Sequence, residues 1–283
     1  MATVANPRYV PRHLTARELV IDFLSNRYPR EMSAAEILGV GAALGFTEQS
    51  LRMALTRLVE QSVAANTGRG RYRLSPSGET MRDEVRKWRR LDELAKSWSG
   101  AWIGVFDASV PRSDRAALRR HERAMRLRGF RELQPGLWIR PANLRDSIAE
   151  LRDHLRALGL HPAALVVGLN DLDDDSRAKA TSLWDTAAML ATYRALTDEL
   201  LASKTRLERI ALDTAAAESM VLGRDVIRHI NLDPVLPEEL MPQRARNNLI
   251  VTMTDYDQQA RQIWRRFMRA HAQVPRPLLH GRG

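Results

Sequence analysis

Apolar positions recur at helical spacing along most of this chain, and one central block alternates as strands do instead. The pattern predicts a first helix from about Thr15 to Arg27, with Leu19, Val20, Phe23 and Leu24 inward. Ser33-Ala34-Ala35-Glu36 has the reciprocal spacing of a capping box, so a second helix starts there. That helix ends near Leu44, with Gly45 beyond it. Thr47 caps a third helix, Glu48 to Glu60, whose Leu51, Ala54, Leu55, Leu58 and Val59 share one face. Weak alternation follows, then a basic turn, Gly68-Arg69-Gly70-Arg71, and a return strand, Tyr72-Arg73-Leu74. Ser75-Pro76 caps a long fourth helix to about Lys96.

The middle block has another rhythm. Strands are predicted at Ala101–Asp107, Phe130–Leu133, Leu137–Arg140 and Ala163–Leu169. A helix capped by Ser113 runs to Arg128 and stops at Gly129; another, capped by Asn143, runs to Leu158 and stops at Gly159. The order β-α-β-β-α-β is that of the ferredoxin-like fold. After the acidic stretch 171–175, expected to be a solvated linker, helical periodicity continues to about residue 270. Leu190, Tyr193, Leu196 and Leu200 form one stripe, and Leu207, Ile210 and Leu212 begin another. Three prolines interrupt the pattern in Asp233-Pro234-Val235-Leu236-Pro237-Glu238-Glu239-Leu240-Met241-Pro242. A last helix carries Leu249, Met253, Tyr256, Ile263, Trp264 and Phe267. The fold class is therefore α+β, mostly α. The expected domains are a winged helix-turn-helix with its linker helix (1–96), a ferredoxin-like domain (97–170), a helical C-terminal domain (171–271) and a disordered tail (272–283). Residues 1–13 are expected to be a flexible arm.

Charge narrows the class of partner. Lys and Arg number 44 against 34 acids, a formal net charge of +10, which favours an acidic partner such as nucleic acid. Only four of the 44 are Lys, so the basic surface makes planar, bidentate contacts wherever it binds. With no Cys, disulfide frameworks, zinc fingers and thiol catalysis are excluded. The start, MATVANPRYVPRHL, lacks the apolar core of a signal peptide, and no apolar run approaches a membrane span of ~20 residues, so a cytoplasmic protein is expected.

A third helix followed by a basic hairpin is the winged helix-turn-helix pattern, although an ordinary amphipathic helix and hairpin would show the same periodicity. Gln49, Arg52, Met53, Thr56 and Arg57 fall on the polar face of that helix and Arg69 and Arg71 on the turn; these are the candidate DNA contacts. Gln, Thr and Arg suit base edges or phosphates, with Arg57 assigned to phosphate and the turn arginines to phosphates or the minor groove. Asp107, at the end of the first central strand, raises the alternative of a metal-dependent nuclease, but no companion carboxylate is evident beside it. Seven His are scattered without ligand spacing, and no GxSxG, P-loop or dinucleotide fingerprint occurs. No catalytic residue, metal or cofactor is assigned, and an enzyme is not expected.

Three blocks resemble one family. They are LGFTEQSLRMALTRLVEQ with GRGRYRLSPSG, then W-x-x-VFD with RGFRELQPGLWIRP, then IRHINLDPVLPEELMP. In this order they resemble the PaaX-like transcriptional repressors of phenylacetic acid catabolism and related pathways. Ser62-Val63-Ala64 and Gln243-Arg244-Ala245-Arg246 depart from the family pattern and mark a divergent member serving another catabolic operon. The resemblance implies a ferredoxin-like domain similar to the small nuclease subunit of CRISPR adaptation. It also implies a homodimeric repressor on an inverted-repeat operator in double-stranded DNA, released by an acyl-CoA thioester or a related acid. Between Arg112 and Arg131 stand eight Arg and two acids. A solvated helix is the default reading of that run and the core that of Trp138; the resemblance implies instead an anionic effector site, with Arg112, Arg115, Arg119, Trp138 and Arg140 as its candidates. The remaining alternative is an architectural DNA-binding protein without a ligand.

Overall fold

The computed structural model describes residues 14–26 and 31–271. The expected N-terminal arm (1–13) and C-terminal tail (272–283) lie outside the described residues. The chain forms two compact units, one of 1–87, 197–227 and 252–283, the other of 88–196 and 228–251. The helical residues after 171 thus contribute to both.

In the first unit, α1 (Ala16–Asn26), α2 (Ala34–Ala43) and α3 (Glu48–Glu60) accompany a small antiparallel sheet. Its strands β1 (Glu31–Ser33), β2 (Ala64–Gly68) and β3 (Arg71–Leu74) lie in the order β1-β3-β2. The caps explain the helix boundaries. Ser33 and Glu36 form both halves of a capping box on α2, and the Thr47 hydroxyl accepts from Ser50 N–H at the start of α3. Between the two helices Gly45 adopts φ +83°, and the N–H groups of Gly45 and Phe46 donate to Ala42 and Gly41 carbonyls. A Cβ on Gly41 would stand 2.4 Å from Leu51 Cδ1, so glycine there sets how closely α2 and α3 approach. Leu19, Ile37, Leu51 and Leu58 are fully buried, whereas Val59, expected inward, is exposed. The fourth helix is shorter than its periodicity indicated. α4 spans Pro76–Arg86, and the chain then passes into two 3-10 turns.

The unit also includes parts of the last three long helices, α8 (Thr186–Leu207), α9 (Leu212–Asn231) and α10 (Arg244–His271). Phe23 meets Trp264 edge-on at 5.8 Å, and Arg224 of α9 reaches Asp22 (2.6 Å) and Glu18 (3.3 Å) of α1. Burial raises the Asp22 carboxyl above its ordinary value against the opposing charge of Arg224.

The second unit holds β4 (Trp102–Phe106), α5 (Arg115–Leu127), β5 (Arg131–Gln134), β6 (Leu137–Pro141), α6 (Ile148–Leu158) and β7 (Leu165–Leu169). The antiparallel sheet has the order β5-β6-β4-β7, the ferredoxin-like arrangement. Ile103, Val105, Met125, Phe130, Trp138, Leu151 and Leu155 form its core with neighbouring apolar residues. Trp102, one residue out of phase, packs instead against Trp98 and Trp184. Two caps differ from expectation. Asp114, not Ser113, caps α5, because its carboxylate takes the N–H groups of both Ala116 and Ala117. Ser147, not Asn143, caps α6, in a capping box with Glu150. The acidic stretch is not a linker, since Asp173 caps α7 (Asp174–Thr181), where carboxylates complement the helix N-terminus.

Candidate nucleic-acid interface

The outer face of α3 carries the predicted polar set. Gln49, Arg52, Met53, Thr56 and Arg57 are all exposed, on the side opposite the buried Leu51, Ala54, Leu55 and Leu58. Met53 is 49% exposed, an apolar group available for contact with a base methyl. Arg52 is not free, since its guanidinium pairs with Glu48 one turn earlier at 2.7 Å. The Thr56 hydroxyl donates to the Arg52 carbonyl at 3.1 Å. An exposed pair of this kind is worth only ~0.3–0.5 kcal/mol and yields readily to a phosphate.

The hairpin presents the second part. Gly68, Arg69 and Gly70 all have positive φ, +103°, +50° and +69°, so the glycines let the chain reverse and hold Arg69 at the tip. Asn66 fixes the turn by accepting Gly68 N–H through its side chain at 2.9 Å, and the ladder bulges there. Arg71 faces Glu31 across the sheet at 3.5 Å. The Thr67 hydroxyl donates to the same carboxylate, and this bond, with the charges of Arg71 and Arg73, holds Glu31 below its ordinary value. Arg73 was not foreseen. It is exposed two residues from Arg71, and the period of two puts both on one side of β3, a signal present in the RYRL sequence.

The predicted effector residues do not come together. Arg112, Arg115 and Arg119 are exposed, but Trp138 and Arg140 are buried. Arg126 lies over the Trp138 ring at 5.1 Å. Arg140 donates to the Arg128 carbonyl, to Pro141 O and Pro234 O (each 3.2 Å), and towards Asn143 Oδ1 at 3.4 Å. Burial and the nearby Arg128 charge hold it below its ordinary value, at about 9, so it remains a cation at neutral pH. Its guanidinium and the Asn143 amide, which donates to Val235 O at 2.6 Å, secure the 233–237 loop. In that loop Val235 has φ +53°, a strained conformation for a β-branched residue.

Asp107 is buried, and both its oxygens are engaged. Oδ1 accepts from Arg112 at 3.1 Å, and Oδ2 lies 3.2 Å from His121 Nε2. His161 N–H donates to His121 Nδ1, so that nitrogen is unprotonated and Nε2–H must be the donor to Asp107. Burial lowers the His121 pKa despite the adjacent carboxylate. The carboxylate is thus committed to a structural pair rather than directed at solvent.

These features define a protein with two units, one a ferredoxin-like domain and the other carrying a basic helix and hairpin. Residues 95–166 match the family model for the PaaX protein central Cas2-like domain. Over these residues, about a quarter of the chain, it is similar to the central domain of the PaaX proteins. Among solved structures it is similar to the uncharacterized protein Rv0674 from Mycobacterium tuberculosis. The two share 24% identity and a TM-score of 0.59, over 89% of this chain and 100% of that one, a likeness of fold. No curated protein matches the chain. Among the described residues no helix is long and apolar enough to cross a membrane.

Proposed function

We propose that the protein is a sequence-specific, DNA-binding transcriptional repressor of a catabolic operon, released by a small-molecule effector. The observation that carries this reading is the exposed Gln49–Arg57 face of α3 beside a hairpin whose glycines hold Arg69 at its tip. In this reading the first unit is a winged helix-turn-helix, α3 enters the major groove, and the hairpin is the wing. Gln49, Arg52, Met53 and Thr56 meet base edges, while Arg57, Arg69 and Arg71 meet phosphates. Two copies on a two-fold axis bind an inverted repeat with half-sites about one helical turn, or a multiple, apart. The effector is an acyl-CoA thioester or related acid, attracted by Arg112 and by Arg115 at the start of α5. It must favour a state in which the two copies of α3 no longer match that spacing.

The test is selection of bound duplexes from a random pool with the full chain, followed by titration of the selected complex with acyl-CoA thioesters and their free acids. An inverted repeat should emerge, and one of these compounds should release it. Arg69→Ala should weaken all sequences alike, while Gln49→Ala should change the preferred bases. Equal losses on selected and random DNA for both variants would refute this division. Sedimentation of the chain alone should show a dimer.

A further inference from the structure

A groove of about 770 Å³ lies along α5 in the second unit, lined by Arg119, Arg120, Arg123, Arg126 and Arg131. Its other lining includes Leu127, Leu232 and one acid, Glu122. The first four arginines are exposed, and none of them forms an ion pair with a carboxylate among the described residues. Such crowding is costly to the folded protein alone. Burial, and to a lesser degree the charge of Arg126, hold Arg131 below its ordinary value. Leu127 and Leu232 in the same lining offer apolar surface for the aliphatic stems of arginines. Helical periodicity puts positions 119, 123 and 126 on one face. Arg119 to Arg126 covers about 10.5 Å of helix axis at ~1.5 Å per residue. Arg119, Arg123 and Arg126 thus stand in a row along one side of α5, with Arg120 about 100° further round the helix.

We infer that this groove binds the phosphate backbone of double-stranded DNA, as a sequence-independent contact made by the central domain. It is separate from the contacts proposed for α3 and its hairpin and does not depend on them. Each guanidinium donates to phosphate oxygens, with Arg suited to bidentate contact. The open groove fits a continuous strand and reads no bases.

The experiment uses the full chain and a random-sequence duplex, with binding followed by fluorescence anisotropy across a range of salt. Each neutralised phosphate contributes about 0.9 to the slope of log affinity against log salt. The double variant R119Q/R123Q should therefore show a slope shallower by about 1.8. A control, R265Q/R266Q, removes the same charge from exposed positions on α10 and should retain the wild-type slope. Equal slopes for the two double variants would overturn the inference. So would loss of inorganic pyrophosphate binding in R119Q/R123Q with an unchanged DNA slope, which would make the groove a small-anion site. If the slope falls in R119Q/R123Q while Arg69→Ala and Gln49→Ala bind as wild type, the groove stands and the α3 reading fails. The reverse pattern removes the groove and leaves the α3 reading intact.

Discussion

Replacing Tyr193 by Phe tests how the 233–237 loop is held. Tyr193 and Asp233 are both buried, and the phenol donates to Asp233 Oδ2. The other carboxylate oxygen accepts Val235 N–H at 2.6 Å and faces Arg246 at 3.5 Å. Phenylalanine keeps the ring volume, so the loss is that of a hydroxyl bond to a buried charge, ~1.5–3 kcal/mol. Asp233 keeps its other partners, which places the expected loss near 2 kcal/mol. Tyr256→Phe is the comparison, because its hydroxyl meets the neutral Ser203 hydroxyl at 2.9 Å and its loss should cost only ~1 kcal/mol. Urea unfolding followed by tryptophan emission suits the measurement. Five of the six tryptophans, at 88, 98, 102, 138 and 184, belong to the unit that holds Tyr193. A midpoint unchanged by Tyr193→Phe would refute the reasoning. Burial and the Asp233 charge also raise the phenol's pKa far above its usual value. A group raised in the folded state contributes stability that is intact below its unfolded value, ~10, and is lost as pH rises beyond it. The wild type should therefore lose stability more steeply than Tyr193→Phe above that pH.

Two further outcomes follow from other contacts. The His121 pKa is lowered by burial, so its contribution is present above the unfolded value of ~6.5 and is lost as pH falls below it. His121→Gln, which keeps a donor towards Asp107, should flatten the pH dependence of the tryptophan-detected transition there, and an unchanged profile would exclude His121 as its source. In the first unit, a Cβ on Gly78 would meet the Val63 carbonyl oxygen at 2.1 Å. Gly78→Ala should cost ~1–3 kcal/mol in thermal unfolding followed by circular dichroism, and a wild-type midpoint would show that the close approach is not needed.

Much of the fold was legible because local chemistry fixes it. Gly45, Gly129 and Gly159 all take positive φ where the sequence placed helix ends, and the Ser33–Glu36 and Thr47 caps stand where expected. The two misplaced caps show where local pattern fails. Ser113 and Asn143 are good cap residues, but Asp114 offers a carboxylate to two N–H groups, and Asn143 is drawn inward by the Val235 carbonyl. That bond joins residues 92 apart in the chain, and no local spacing encodes it. The Asp233–Pro237 motif was visible as a break in the helical pattern and as a resemblance, but its contacts were not, for the same reason. Its function in the fold is to offer backbone carbonyls to Arg140, Asn143 and Arg246, and carbonyls have no sequence signature.

The placement of Arg140 and Trp138 at an effector site has a sharper lesson, because the topology already argued against it. In the order β5-β6-β4-β7, β6 is an internal strand, and one face of the sheet carries the core shared with Met125 and Leu151. Trp138 lies in that core, and Arg140, two residues on, points to the same face and is buried with it. Arginines on α5 face the opposite constraint. A helix packed on a sheet buries one stripe only, here His121, Ala124 and Met125, so Arg119, Arg123 and Arg126 are left outside. Eight arginines close together in sequence therefore do not make one site, and Arg140 beyond them belongs to the interior. Strand position and helix phase divide these residues, binding the loop from within at Arg140 and leaving outside, on α5, a row of guanidinium groups that pair with no carboxylate among the described residues.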